Sequence, residues 1–342
     1  RSITSSPDEL LLHSGGPISD ISHTSLLMAP ANHRTLLKQP PSFDSMHTNA
    51  SPLKGELQFP NIPPMVVETQ QWDGEKWSTF EVHSAPDLAS AMRLARLGTF
   101  QPVPDGLPSI GTVTGLLGYD LVQWTSPVEI LSRPKVGTIL GVLYPLSAYI
   151  HYNREHDVLT FVSEEDHPWA NLNFAEIPIV PPESLGPIHP IGPVSTSDAH
   201  HAYQIQRIIE SIRGGHLYQV NYGRTWSGPT NIHPWKVFER LVESNPAPFS
   251  GWLHASDLGL AIASSSPELL LEMEADNVST RPIKGTRPRG IHPEADAAEV
   301  TTMLSSRKEI AEHMMLVDLE MNDIRQISCE GSTKWADWRI ES

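Results

Sequence analysis

The chain has little cysteine: Cys329 is the single one in 342 residues. No intrachain disulfide can form, which is compatible with a reducing compartment, and a cytoplasmic protein is expected. Positive charge is also short, with 24 Lys and Arg against 40 Asp and Glu and a formal net charge of −16. That balance argues against a general nucleic-acid surface, which needs a cationic footprint, and against adsorption to anionic membranes. No apolar run approaches the roughly 18–20 residues of a membrane span. No GxGxxG or P-loop stands at a strand-to-helix turn. The 16 histidines scatter without zinc-ligand spacing, and no motif near Cys329 marks it as a nucleophile. There is no internal repeat. The start, "RSITSSPDELLLHSGG", has neither an initiator Met nor a signal-peptide pattern, so non-native ends are expected.

What is present is globular: 39% hydrophobic and 19% charged residues, with a length that allows one large domain or two ordinary ones. Thirty-one prolines imply many stiff loops. The six-proline stretch at 177–198 gives the main boundary: an N-terminal region 1–180, a linker 181–197 and a second region 198–342. Residues 29 to 64 read as loop or irregular structure. "PPMVVETQQWDGEKWSTFEV" reads as two strands around an Asp-Gly turn. Residues 85–98 read as a helix stopped by Gly98. The glycine-punctuated "GTVTGLLGYDLVQW" predicts close backbone packing. Strands are expected at "GTILGVLYPLSAYIHYN" and "VLTFVSE". Asp198 is placed to cap a helix with Ile205, Ile208, Ile209 and Ile212 on one stripe, ended by Gly214 and Gly215. "HLYQVNYGRTW" alternates as a strand does, and Pro234 opens a short helix. "SGWLHA", "LGLAIASSS", "ELLLEME" and "VSTRP" read as strands. A last helix is expected from about Ser305 to Met321, with Ile310, Met314, Val317 and Met321 inward. Strands clustered between helices favour a mixed, largely antiparallel α/β architecture.

Against the acidic background, "RPIKGTRPRG" at 281–290 gathers Arg281, Lys284, Arg287 and Arg289. Pro282 and Pro288 forbid a continuous helix, and Gly285 permits unusual backbone angles. The cluster is either a pocket for a small polycarboxylate or phosphate, or a solvated basic loop offsetting acids such as Glu294 and Asp296. Lys284 differs from the arginines: partly buried among cations, it can lose its proton near neutral pH and act as a nucleophile. Glu268 follows "SSSP" at the head of an apolar strand, and is either a general acid or base or an exposed strand-end carboxylate. Glu309 and Glu312 share a helix face, and either bind Mg²⁺ or form a solvated acidic face. Gln219 and Asn221 either orient a polar ligand or satisfy backbone groups.

Together these stretches resemble the chorismate-utilising enzyme family. "LLLHSGG", "GTVTGLLGYDLVQW", "IRGGHLYQVNYGRTW", "NPAPFSGWLH", "SSSPELLL", "RPIKGTRPRG" and "SRKEIAEHMMLVDLEMNDI" follow the family's order over most of the chain. The resemblance implies an α+β chorismate-binding fold of largely antiparallel sheets in a sandwich with helices outside, incomplete at the C-terminus. Water-adding members carry a lysine base where Gln219 stands, which points to ammonia as nucleophile. The "PIKGT" form resembles component I of the para-aminobenzoate branch, which makes 4-amino-4-deoxychorismate for folate synthesis. The alternatives are the anthranilate synthase branch and a non-catalytic binding module. The resemblance implies Lys284 as nucleophile attacking ring carbon C2, Glu268 as general acid or base, and Gly285, Thr286, Gln219, Asn221 and Ser266 along the substrate. It implies Glu309 and Glu312 as the Mg²⁺ pair, with Glu312 the direct ligand, and a glutamine amidotransferase partner, separate or fused. The chain departs from the pattern at His216, Met321 and Arg325. It also ends before the family's later histidine segment, its Gly-Ala-Pro-Lys stretch and its second metal-binding glutamate, so a fragment with little activity of its own is expected.

Overall fold

The computed structural model describes residues 6–41, 62–95, 103, 107–126, 130, 134–164, 167–171, 173, 176 and 195–335. The strands are β1 (Glu9–His13), β2 (Thr24–Pro30), β3 (His33–Lys38), β4 (Met65–Trp72), β5 (Trp77–Ala85), β6 (Val113–Leu117), β7 (Ile139–Asn153), β8 (Val158–Ser163), β9 (Phe249–Ala255), β10 (Leu260–Ser266), β11 (Leu269–Glu274) and β12 (Asn277–Arg281). The helices are α1 (Leu88–Leu94), α2 (Asp198–Arg213), α3 (Pro234–Ser244), α4 (Pro293–Ser305) and α5 (Arg307–Arg325).

β7 organises the sheet. Its fifteen residues are apolar almost throughout, and it is buried over most of its length. Its first half pairs with β3 and β6, and its second half with β2 and β8. The change of neighbours falls at Pro145, which lacks the N–H of a ladder residue. Two leaves therefore share one strand and close over one core. Leu10, Met28 and Leu253 of the first leaf meet Leu36 of the second against Val142, Tyr144, Leu146 and Tyr149 of β7. Among the described residues every strand pairing is antiparallel. The architecture is mixed α/β, a largely antiparallel sheet sandwich with helices packed outside. Among the described residues no helix is long and apolar enough to cross a membrane.

β9 and β10 join this sheet through β1, whose Glu9–His13 pair with Ser250–His254. Thus the strand leading to Glu268 is an extension of the N-terminal sheet. α3 lies on that hairpin, with Trp235 meeting Trp252 edge-on and Phe238 tilted against it at ring separations of 5.4 and 5.8 Å. A buried cation ties the hairpin turn down. Arg34 on β3 is fully buried and donates to Asp8 at 2.8 Å, to Gln70 at 2.8 Å and to Asp257 at 3.0 Å. Its guanidinium also lies 4.3 Å from the centre of the Trp77 ring.

Several expectations need correction. The 29–64 segment is not simply irregular, because β2 reaches Pro30 and His33–Lys38 forms β3. Arg34, Thr35, Leu36 and Leu37 are all buried there; the surrounding Pro, His and Asn mask a short strand whose interior holds a charge. Residues 42–61 lie outside the described ones. "HLYQVNYGRTW" alternates in sequence but forms no strand: Tyr218 is 91% exposed, and Gln219 and Asn221 are exposed as well. A strand needs a ladder partner, and among the described residues this segment meets only Ser195 across it by its backbone, with Ser195 N–H donating to the Thr225 carbonyl at 2.7 Å and Thr225 N–H to Ser195 Oγ at 3.1 Å. The cap of α2 is Ser197 rather than Asp198, and the isoleucine stripe of α2 is not buried. α4 is an element that the apolar spacing does not announce, although Pro293 at its start and Glu294 and Asp296 in its first turn are ordinary start signals. The Gly98 helix stop and most of the proline-rich linker fall outside the described residues.

The close packing expected near Gly115 is present, since a Cβ there would lie 1.9 Å from the Val142 carbonyl oxygen. Gly115→Ala is expected to cost about 1–3 kcal/mol by forcing β6 off β7, read as a lower urea midpoint; an unchanged midpoint would contradict this packing. Arg34→Met leaves Asp8 as an unpaired buried carboxylate and is expected to cost about 3–5 kcal/mol. Equilibrium denaturation checks it, and a loss below about 1 kcal/mol would show that the ion pair holds nothing together.

Candidate active site

The candidate site is assembled around the loop after β12. At its start, Arg281 pairs with Asp20 at 2.6 Å, and this hydrogen bond holds the Asp20 carboxyl below the usual range. The loop that bears Asp20 is fixed in turn by Arg154, which donates to the carbonyls of Ser22 at 2.6 Å and Gly16 at 2.8 Å. At the far end, Arg289 makes a two-pronged contact with Asp296 on α4 at 2.8 and 2.7 Å, and Gly290 N–H donates to the same carboxylate at 2.8 Å. The Arg289 hydrogen bonds, and then that N–H, lower the Asp296 pKa. Gly290 is required there, as a Cβ would lie 2.1 Å from the Asp296 backbone nitrogen. Two of the four cations are thus matched by acids. Lys284 and Arg287 have no carboxylate partner within salt-bridge range among the described residues.

Between these anchors the backbone runs past two carboxylates. Ile283 N–H donates to Glu268 Oε1 at 2.8 Å. Gly285 takes a φ of +86°, and a Cβ on it would lie 3.6 Å from Glu309 Oε2 and 3.2 Å from Met303 Cγ. Lys284, half-buried, therefore sits between one residue held by Glu268 and another, Gly285, where an added Cβ would only just reach Glu309. The structure brings Glu268, Lys284, Gly285 and Glu309 together. Glu268 itself is exposed and is oriented from below, where its N–H donates to Ser266 Oγ at 3.4 Å across Pro267. Glu309 and Glu312 are half-buried on successive turns of α5, which starts with Ser306 Oγ accepting from Glu309 N–H at 3.4 Å. Glu312 lies 3.6 Å from Lys308. Thr286 is exposed. Gln219 and Asn221 lie on the exposed 216–226 segment, and no hydrogen bond draws them into this group.

Three residues absent from the sequence reading belong to the neighbourhood. Asp20 comes from 261 positions away, a distance no local pattern spans. Thr280 and Glu320 meet at 3.0 Å, joining β12 to α5. Glu320 was legible as a carboxylate on the helix, but nothing in its spacing separates it from the solvated acids around it.

Comparison with known proteins places the chain in a family. The model of the chorismate binding enzymes matches residues 66–338. The chain is 32% identical over 241 residues to anthranilate synthase component 1 of Thermus thermophilus, covering 68% of this chain and 51% of that protein. It is 33% identical over 242 residues to aminodeoxychorismate synthase component 1 of Salmonella typhimurium, covering 69% of this chain and 51% of that one. A shorter stretch of 138 residues is 43% identical to an anthranilate synthase component 1 of Haloarcula marismortui, covering 40% of this chain and 28% of that one. The chain spans about half the length of the first two relatives and less of the third. The fold is shared with the crystal structure of anthranilate synthase component I from Streptococcus pneumoniae, with a TM-score of 0.61, 20% identity, and coverage of 92% of this chain and 64% of that one. The chain belongs to the family of chorismate-binding enzymes that includes the component I subunits of anthranilate and aminodeoxychorismate synthases.

Proposed function

We propose that the protein aminates chorismate, using ammonia released by a glutamine amidotransferase partner, at the site of Glu268, Lys284, Glu309 and Glu312. The observation that carries the reading is the placing of Lys284 between Ile283, whose N–H Glu268 accepts, and Gly285, which faces α5 on the side of Glu309. A cationic loop seated between acids suits a substrate that is itself a dianion. Family membership supplies the substrate class.

In the para route, Lys284 Nζ, once neutral, bonds to ring carbon C2 of chorismate. The two conjugated ring double bonds shift, the C4–O bond breaks, and Glu268 gives a proton to the departing hydroxyl, which leaves as water. Ammonia then attacks C4, and the reverse shift expels the lysine amine, giving 4-amino-4-deoxychorismate. Gly285, Thr286 and Ser266 line the substrate, with Gln219 and Asn221 as neutral groups that admit ammonia rather than activate water. Glu309 and Glu312, two hard carboxylates one turn apart on a rigid helix, fit Mg²⁺, with Glu312 the direct ligand. That ion, when bound, supplies positive charge for a chorismate carboxylate.

A second reading, attack of ammonia at C2 with loss of the C4 hydroxyl as water, then elimination of the enolpyruvyl side chain as pyruvate to give ortho-aminobenzoate, is favoured by the anthranilate synthases among the relatives. Product identification in the full-length protein with an ammonium salt separates the two. The para reading predicts 4-amino-4-deoxychorismate, its loss in Lys284→Ala, and a fall in kcat of about 10²–10⁴-fold in Glu268→Gln. Formation of ortho-aminobenzoate, undiminished by Lys284→Ala, would overturn it.

A further inference from the structure

The proposed reaction makes no use of α4, yet this helix touches the 281–290 loop at two points. Near its first turn the Gly290 backbone lies so close that an added Cβ would fall 2.1 Å from the Asp296 nitrogen and 2.6 Å from its Cα. Near its last turn Met303 faces Gly285, with its Cγ 3.2 Å and its Sδ 3.4 Å from where a Cβ would stand. The loop therefore runs antiparallel to the helix, from Met303 back to Asp296. Neither α4 nor α5 has a buried residue among those described, so no apolar lock fixes how far α4 slides along the loop.

Chain length does not fix it either. From Asp296 to Met303 the helix rises about 10 Å, whereas the loop from Gly285 to Gly290 can extend to about 17 Å. We propose that Asp296 is a positioning residue that removes this slack: it clamps the loop in one register along α4 and so sets where Lys284 stands against Glu309 and Glu312. Its carboxylate accepts from Arg289 Nε at 2.8 Å, from Arg289 Nη2 at 2.7 Å and from Gly290 N–H at 2.8 Å. Three donors from two successive loop residues thus converge on one side chain that is only 23% exposed. A guanidinium that engages both carboxylate oxygens fixes orientation as well as distance. The acid sits in the first turn of α4, where the helix dipole favours a negative charge.

α4 carries that register on to the acidic pair. Ser306 is at once the C-cap of α4 and the N-cap of α5, and Glu309 stands in the first turn of α5. A slip of the loop by one residue along α4 would move Lys284 by about 3 Å relative to Glu309, and misplacement by about 1 Å is enough to slow a reaction severely. Arg281 and Asp20 pin the other end of the loop through a single hydrogen bond, which leaves the guanidinium free to pivot. The fork at Asp296, reinforced by a backbone N–H, does not pivot.

The link to catalysis rests on the proposed reaction, but the clamp is tested without turnover. In full-length protein, amide hydrogen exchange is followed at Gly290, at Ile283, whose N–H is held by Glu268 on the far side of Lys284, and along β9 as a control. Arg289→Met, at a side chain 80% exposed, removes the fork and leaves the Gly290 bond; Asp296→Ala removes all three bonds. Exchange at Ile283 is expected to rise about threefold in the first variant and about tenfold in the second, with β9 unchanged within about twofold. Acceleration at Gly290 alone overturns the proposal, because the contact is then local. Equal acceleration at Ile283 and in β9 overturns it as well, because the loss is then general. Should Asp296→Ala fail to fold, Arg289→Met decides by the same criteria. With chorismate and an ammonium salt, kcat of Asp296→Ala is expected to fall at least about tenfold with the KM for chorismate little changed; a raised KM at unchanged kcat would contradict a positioning role. A clamp that behaves as stated in a protein that does not process chorismate would stand and refute the reaction. Turnover with unaltered Ile283 exchange in both variants would refute the clamp and leave the reaction.

Discussion

One buried guanidinium holds the architecture together. Arg34 contacts Asp8 ahead of β1, Gln70 on β4 and Asp257 in the β9–β10 turn, partners up to 223 positions from it in the chain. A charge without solvent access is tolerated only while its partners are in place. The two leaves of the sheet and the hairpin that leads to Glu268 must therefore assemble jointly. Hydrophobic burial along β7 drives collapse without fixing direction. The ion pairs and the planar fork of the guanidinium select one arrangement from the many that would bury the same apolar surface.

The candidate site inherits its order from that arrangement. β10 is sewn to β9, β9 to β1, and β1 to the core, so Glu268 stands at the end of a continuous ladder. The 281–290 loop has no such ladder. It is held at its ends by Asp20 and Asp296 and in its middle by Glu268. Opposite charges thus do for this loop what secondary structure does elsewhere. The acidic excess of the chain places carboxylates around the basic stretch, and the cations left unmatched lie at Lys284 and Arg287.

Much of the fold was legible where local chemistry decides the outcome. The Asp73–Gly74 hairpin, the long apolar β7, the β9 to β12 run and the helix carrying Glu309 and Glu312 follow from period, turn residues and caps. Reading failed where tertiary context overrides pattern. β3 was hidden because its interior includes Arg34, a residue that marks surface unless its partners are known. The 216–226 segment alternates convincingly, yet alternation supplies only a face, and a strand also needs a neighbour. Within the site, Lys284 and the Glu309–Glu312 pair stood out by type and spacing. Asp20 and Thr280 did not, since their importance lies in what they meet, whereas Asp296 was legible as an acid offsetting the basic loop and does pair with Arg289. The arginines at 281 and 289 looked equivalent to Lys284 in charge; the structure separates them by giving each a carboxylate.

The central claim is that the amine of Lys284 bonds covalently to the ring of chorismate. It is tested most directly by mixing full-length protein with chorismate and Mg²⁺ in the absence of ammonia and glutamine, quenching, and mapping modified peptides by mass spectrometry. The account predicts a peptide containing Lys284 that is heavier by chorismate less one water, and no such species in Lys284→Ala. Complete consumption of chorismate on later addition of ammonia, with Lys284 never modified, would contradict it.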